Sequence, residues 1–326
     1  MPAFWLDASA APGRLLAPLS CLYCGLVKLR RAAYRRGLAT TRRLPVPVIV
    51  VGNIFVGGTG KTPLVAWVVA QLLAHGRRPG ILVRGYGGRG RQWPVRVESE
   101  SDPARVGDEA VLLARRTGVP VAAGPDRIAA AGLLIEAGCD VLVSDDGLQH
   151  YRLARDLELV VLDAARKLGN GRCLPAGPLR EPPARLAEVD LVIGNGGAVD
   201  PYPDYFQLRP DALVRVDGEP SIAGDWRGKK VHAVAGIGNP GRFFDALSAQ
   251  GLRVIPHAFG DHHAFEPGDL AFGDELPVVM TEKDAVKVRA FARPHYWYQP
   301  VTAQPGGETE KRLQVLLARC LGEAGT

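Results

Sequence analysis

Apolar residues recur along this chain in two patterns. Short unbroken aliphatic runs, such as Val48 to Val51, Ile81 to Val83, Val141 to Val143, Leu159 to Leu162 and Leu191 to Ile193, show no polar alternation. That is the pattern of strands covered on both faces. Between them lie helix-compatible stretches at Leu64–Leu73, 107–116, 126–137 and 309–321. Strand and helix alternating in this way predict an α/β fold built on a parallel sheet. From residue 196 to 228 the periodicity weakens and Pro and Gly accumulate, so a junction is placed there. A second strand–helix–strand unit follows: Lys230–Ala235, Phe243–Gln250, Leu252–Phe259, with a further strand at Pro277–Thr281. The expected organisation is an N-terminal helix over 1–38, a larger unit over 39–215 and a smaller α/β unit over 226–326.

Residues 14–36 read as an amphipathic helix. Leu15, Leu16, Leu19, Leu22, Tyr23, Leu26, Val27 and Leu29 fall on one broad stripe, with Lys28, Arg31 and Arg35 opposite. The apolar part is shorter than the roughly 20 residues a bilayer span requires. Such a helix either lies in a membrane interface with its cations on anionic headgroups or packs on its own domain; the pattern alone does not choose.

The first candidate chemistry follows the first strand. Phe55-Val56-Gly57-Gly58-Thr59-Gly60-Lys61-Thr62 leads into a helix with Pro63 in its first turn. Strand, glycine loop, Lys-Thr and helix form the layout of a phosphate-binding loop, in which glycines let backbone N–H groups converge on an anion at a helix N-terminus. Phe55 stands where the usual spacing has glycine, which makes this a variant loop. Lys61 would hold the β- and γ-phosphates of a nucleotide, and the Thr62 hydroxyl would ligate Mg²⁺.

A second candidate is Asp145-Asp146, at the end of another buried strand. Acids at the C-terminal end of a parallel strand lie where α/β sheets bind ligands, and Mg²⁺ beside a phosphate loop needs them. Other polar motifs are less specific. Asp108-Glu109 opens a helix, where acids suit the positive end. Gly85-Tyr-Gly-Gly-Arg-Gly-Arg91 is a basic glycine loop. Gly236-x-Gly238-x-x-Gly241 satisfies the dinucleotide fingerprint, but the strand that follows ends without the acid a nicotinamide ribose requires, so it reads as a tight strand–helix turn. The Pro/Gly-rich stretch 174–182 is long enough for a lid.

Composition narrows the class. At 326 residues with 47% hydrophobic and 23% charged positions, the chain has ample length for a sizeable core. Its net charge of +6 suits an anionic partner. Without zinc-finger spacing or an aromatic RNA-binding motif, nucleic acid is the least supported. Five cysteines are too few for a disulfide framework and suggest a reducing compartment. The N-terminus lacks the charge order of a cleavable signal.

Together the motifs resemble the tetraacyldisaccharide 4′-kinase family, the lipid A kinases of Gram-negative bacteria. The resemblance rests on Val51–Pro63, Arg84-Gly-Tyr-Gly87, Gly107-Asp-Glu109, Asp145-Asp-Gly-Leu-Gln-His150, Leu179-Arg-Glu-Pro182, Ala235–Pro240, Asp261-His262 and Thr281-Glu-Lys-Asp284, in the family's order over nearly the whole chain. It implies transfer of the γ-phosphate of ATP, with Mg²⁺, to the 4′-hydroxyl of an acylated disaccharide 1-phosphate, at the cytoplasmic face of the inner membrane. It implies two α/β domains with the active site between them, and membrane contact by the N-terminal helix, with no obligate protein partner. It also implies Asp108 as general base on the sugar hydroxyl with His262 as its partner, and Gln149, Arg180 and Glu181 near the site. Two other classes compete. One is a membrane-associated, switch-type P-loop ATPase, which needs no Asp–His acceptor site. The other is a nicotinamide-dependent oxidoreductase, which leaves Lys61 without a role. Proximity of Asp108 and His262 separates the kinase from both.

Overall fold

The computed structural model describes residues 1–219 and 224–322. The chain begins with α1 (Ala11–Leu15) and α2 (Ala17–Arg35), then enters a sheet at β1 (Val48–Gly52) and leaves it into α3 (Lys61–Ala74). Next come β2 (Pro79–Val83), β3 (Val95–Val97), α4 (Pro103–Val106), α5 (Asp108–Thr117), β4 (Val121–Ala123), α6 (Arg127–Glu136) and β5 (Val141–Asp145). Strands β6 (Leu157–Asp163), β7 (Leu191–Asn195) and β8 (Tyr205–Pro210) continue the sheet. The second sheet is built from β9 (Val214–Arg215), β10 (Lys230–Ala235), α7 (Pro240–Ala249), β11 (Arg253–Ala258), β12 (Val278–Thr281), α8 (Glu282–Val288) and β13 (Tyr296–Gln299). The chain then returns through β14 (Val301–Pro305) and α9 (Gly307–Cys320).

The large sheet has nine strands in the order β14-β8-β7-β6-β1-β5-β2-β4-β3. Its interior pairs are parallel, and only the edge strands β3 and β14 run antiparallel. Strand β1 lies at the centre, between β5 on one side and β6 on the other. The chain therefore builds outward in two directions from β1, and the crevice beyond its C-terminal end is where such sheets take ligands. Both faces of β1 are covered. Ile49 and Val51 join the core with Leu64, Val65 and Val68 of α3, and Val48 and Val50 join the core with Leu82, Leu142 and Val160. This explains the unbroken aliphatic run: with no wet face, the strand has no use for polar alternation.

The second sheet has the order β11-β10-β12-β13-β9 and is parallel except at β9. The sequence expectation misses β9 and β13 of this sheet and β3, β8 and β14 of the large one. These are short, Pro-punctuated and partly exposed, so they lack the apolar run that marks the central strands. The bounds also differ from expectation. Strand β9 belongs to the small sheet, while β14 pairs with β8 and α9 packs on the large unit through Leu313 and Leu317. The C-terminal residues thus tie back to the larger body.

Helix α2 packs on its own domain with one aspect and leaves another uncovered. Tyr23 and Cys24 pack on the core of the large unit, Ser20 donates to the Cys173 carbonyl (2.7 Å) and Tyr23 to the Arg180 carbonyl (3.1 Å). Leu19, Leu22, Leu26 and Leu29 face away from the protein, from 54% to 68% exposed, as does Leu15 at the end of α1. Of the cations, Arg31 is largely covered and pairs with Glu188, as does the exposed Arg35. No helix among the described residues is long and apolar enough to cross a membrane.

Candidate active site

The glycine loop leaves β1 and wraps onto the N-terminus of α3. Gly60, the residue before the helix, has φ +83°, and a Cβ there would lie 2.2 Å from the Asn195 side-chain nitrogen. Conformation and space both require glycine. The loop is braced from behind. Asn53 donates to the Gly57 carbonyl (3.3 Å) and the Thr59 hydroxyl (3.0 Å), and Asn195 donates to the Thr59 carbonyl (3.0 Å). Arg166 donates to the Gly58 carbonyl and lies over the Phe55 ring. Phe55 itself is 1% exposed and bridges to Leu179. Its ring fills the core beneath the loop and does not face a ligand, which explains why the loop tolerates Phe at a glycine position.

The stretch expected as a lid is a wall. Cys173, Ala176 and Leu179 are buried, Val56 N–H donates to the Pro178 carbonyl (2.9 Å), and Trp5 Nε1 donates to the Pro175 carbonyl (3.0 Å). Loop and N-terminal arm both hold this segment.

Asp145 ends β5 in register with Val51 of β1, so the two acids stand beside the glycine loop. They differ in environment. Asp146, with φ +53°, pairs with Lys61 (3.4 Å) and Arg180 (2.8 Å). Although burial opposes ionisation, those two cations pull its pKa down to about 2. Asp145 is buried and one of its carboxylate oxygens has no partner. Burial first, then the nearby charges of Glu109 and Asp146, push its pKa up to about 7 against the pull of Lys61 and Arg127. A buried carboxylate with an idle oxygen is a site prepared for a cation.

Gln149 and Glu181 fall behind the loop. Gln149 donates to the Asn53 carbonyl (3.0 Å) and to Glu181 (2.7 Å). Glu181, 1% exposed, also accepts from the Tyr151 hydroxyl (2.5 Å) and lies 3.6 Å from Arg185. Glu181 therefore braces the wall and is not free to meet a substrate. Arg180 alone of this trio turns to the acids.

The second half of the site lies where α5 packs against α8. His262 Nδ1 is 3.0 Å from Asp108 Oδ2. Asp108 also accepts the Glu109 N–H at the start of α5 (2.9 Å). Burial raises its pKa, but the His262 hydrogen bond and the charge of Lys283 outweigh it and hold the carboxyl below its usual range. The basic glycine loop frames the pair: the Tyr86 ring stands edge-on to His262, and a Cβ on Gly107 would meet the Tyr86 carbonyl at 2.6 Å. The two halves connect through Glu109, which bonds Lys283 (3.3 Å) and acts electrostatically on Asp145. Arg242 of α7 also reaches across, 3.7 Å from Asp163 and 3.5 Å from Asn195.

With this geometry in place, similarity to known proteins is specific. A family model described as Tetraacyldisaccharide-1-P 4′-kinase (LpxK) matches residues 12–321. The chain belongs to the tetraacyldisaccharide-1-P 4′-kinase family. It is 60% identical to the tetraacyldisaccharide 4′-kinase of Alkalilimnicola ehrlichii over 98% of this chain and 97% of that one. It is 54% identical to that of Halorhodospira halophila, over 100% and 99%. Among solved structures, LpxK from Aquifex aeolicus in complex with ATP superposes with a TM-score of 0.79 at 29% identity, covering 95% of this chain and 99% of that one.

Within this kinase family frame, several polar residues of the site carried no individual signal in the sequence. Asn53, Asn195 and Arg166 brace the loop, and Glu109 and Lys283 join the two halves. Thr281-Glu-Lys-Asp284 was visible as a motif. Its meaning was not, because only folding puts Lys283 beside residues some 174 positions away. The fingerprint Gly236-x-Gly238-x-x-Gly241 is a structural turn, whose Gly236 N–H donates to the buried Asp284 (2.8 Å).

Proposed function

We propose that this chain transfers the γ-phosphate of ATP to the 4′-hydroxyl of tetraacyldisaccharide 1-phosphate at a membrane surface, with Lys61 and Asp108 on the two sides of the reacting groups. The observation that carries this reading is the 3.0 Å Asp108–His262 contact, linked through Glu109 to the acids beside the phosphate loop. A switch ATPase has no need of an acceptor base, and an oxidoreductase has no need of Lys61.

Phosphoryl transfer passes through a loose transition state, so catalysis is mostly positioning and charge neutralisation. The N–H groups from Gly57 to Thr62 and the Lys61 ammonium cradle the phosphates, and Arg180 adds a second cation beside them. As ATP arrives, Lys61 exchanges Asp146 for phosphate oxygens, and Arg180 keeps Asp146 ionised. Thr62 and Asp145 fit Mg²⁺: a hydroxyl at the helix start and a carboxylate with one unpartnered oxygen. Asp146 is the less available, since its oxygens already meet Arg180 and Lys61. Among the described residues no three acids, imidazoles or thiols form a self-sufficient cage, which accords with an ion that takes its other ligands from phosphate and water. An ion held there by Thr62 and Asp145 would supply charge neutralisation to the transferring phosphoryl group. Asp108 accepts the proton of the acceptor hydroxyl late in the transfer, through the carboxylate that His262 orients.

The exposed leucine face of α2 supports peripheral attachment to a lipid surface, where the acyl chains of the substrate reside. The smaller sheet, from Val214 to Gln299, is read as the unit that brings His262 and Lys283 over the loop. The test is transfer of labelled γ-phosphate to tetraacyldisaccharide 1-phosphate in detergent micelles by wild type, Lys61→Ala and Asp108→Ala. Labelled lipid from wild type, reduced by about 10²-fold or more in each variant, supports the reading. ATP hydrolysis without labelled lipid overturns it in favour of the switch ATPase.

A further inference from the structure

We propose that Lys283 is a positioning residue of the acceptor side of the site: its ammonium holds His262 in the neutral tautomer that carries the proton on Nδ1 and donates it to Asp108. The catalytic half of this proposal rests on the kinase reading above; the tautomer does not.

The start of α8 is rigidly held. Thr281 caps the helix through its hydroxyl, accepting from the Asp284 N–H, and the fully buried Asp284 accepts from Thr281 (2.6 Å) and Gly236 (2.8 Å). Lys283 leaves this anchored turn and is largely buried. Its Nζ lies 3.2 Å from His262 Nε2, 3.3 Å from Glu109 and 3.5 Å from Asp261, with Asp108 Oδ2 at 3.9 Å. An ammonium has three N–H donors and no lone pair, and here three acceptors surround it. Against His262 it can only donate, so Nε2 must present its lone pair. A neutral imidazole has a single N–H, which is then on Nδ1, facing Asp108 Oδ2. The bonds run in one direction: Lys283 Nζ–H to Nε2, then Nδ1–H to the carboxylate. A second proton on His262 would set two cations against each other.

The charged groups facing His262 are Asp108 of α5, Asp261 beside it and Lys283 of α8; Glu109 meets Lys283, and Lys287, further along α8, acts on Asp108. The hydrogen bond to Asp108 raises the pKa of His262, while burial and Lys283 oppose the rise. Lys283 remains charged because Glu109, Asp108 and Asp261 outweigh its burial. His262 sits at φ +59°, a conformation uncommon for a residue with a side chain, so contacts to its ring help fix its place. The result for Asp108 is one oxygen held by the Glu109 N–H and the other by His262, which leaves an ionised, oriented acceptor.

The experiment is ¹⁵N-histidine NMR on the full chain at pH 8, with the His262 resonances assigned by their loss in His262→Gln. Wild type is expected to show protonated Nδ1 and unprotonated Nε2. In Lys283→Met, His262 is expected to gain its second proton about one pH unit higher. The acid limb of kcat should move with it and kcat at pH 7 should fall about tenfold, with KM for ATP unchanged. Lys283→Arg, which also only donates, should restore the tautomer and part of the rate, and separates the effect from loss of folding. A wild-type spectrum with Nε2–H, or a titration and pH profile untouched in Lys283→Met, overturns the proposal. Absence of lipid phosphorylation by wild type would instead overturn the kinase reading and with it the catalytic half, the spectrum still deciding the tautomer.

Discussion

Asp108 and His262 are separated by 154 positions in the chain and by 3.0 Å in space. One opens a helix on the large sheet; the other follows an edge strand of the small one. The contact makes each residue's protonation depend on the other.

Replacing Asp108 by Asn, or His262 by Gln, is expected to lower kcat about 10²- to 10⁴-fold while KM for ATP stays near the wild-type value. Asp108 is held below its usual carboxylate range and stays ionised at neutral pH. His262, its pKa raised by the Asp108 hydrogen bond, therefore contributes an acid limb that is lost in His262→Gln, apart from the competition between proton and Mg²⁺ at Asp145. The signs for stability are opposite. The lowered Asp108 contributes stability above its unfolded pKa and loses it as pH falls through its folded value. The raised His262 contributes below 6.5 and loses it as pH rises through its folded value. Thermal denaturation of the two variants across pH separates these effects.

Metal binding should depend on pH through Asp145. Its pKa, pushed up to about 7 mainly by burial, means that below pH 7 a cation must displace a proton and above it need not. The rise in Tm produced by Mg²⁺ with ATP should be larger at pH 8 than at pH 6. Asp145→Asn should abolish the difference, and removal of Mg²⁺ by chelation should do the same in wild type. Equal shifts at both pH values would remove Asp145 from the metal site.

Changing Leu19, Leu22 and Leu26 together to Ser should cut binding to anionic lipid vesicles by about 10²-fold or more, since each exposed leucine that inserts is worth ~1.5 kcal/mol or more. These side chains meet water in the folded protein, so Tm should change little. Sedimentation with vesicles measures the first and calorimetry the second. Unaltered vesicle binding would place the membrane contact elsewhere.

Glu181→Gln should act on stability more than on chemistry. The carboxylate accepts from Gln149 and Tyr151 and offsets the charge of the buried Arg185. Loss of that charge should cost about 3 kcal/mol in denaturant unfolding, with KM for ATP nearly unchanged. A variant of normal stability and lost activity would return Glu181 to the substrate side.

The central strands were legible because burial on both faces leaves an aliphatic run that no other element explains. The phosphate loop was legible because its chemistry is local: glycines, lysine and threonine act within a few residues of one another. The stretch 174–182 reads only as long enough for a lid, because Pro and Gly signal irregular backbone without saying whether it is exposed. In the structure Ala176 and Leu179 are wholly buried and the N-terminal arm lies against the segment. Phe55 and Glu181 were counted among ligand residues because neighbours in a motif need not share a face; one ring turned into the core and one carboxylate turned to Arg185.

The sequence by itself determined the α/β class, the nucleotide loop, the acids beside it and the family, because strand periodicity and loop chemistry depend on near neighbours. Tertiary structure alone decided which aspect of α2 stays wet, that β14 and α9 return to the large sheet, and that Lys283 and Glu109 join the two halves of the site. Those outcomes depend on packing and on charges brought together from distant positions, where distance in space, not spacing in the chain, sets the energy.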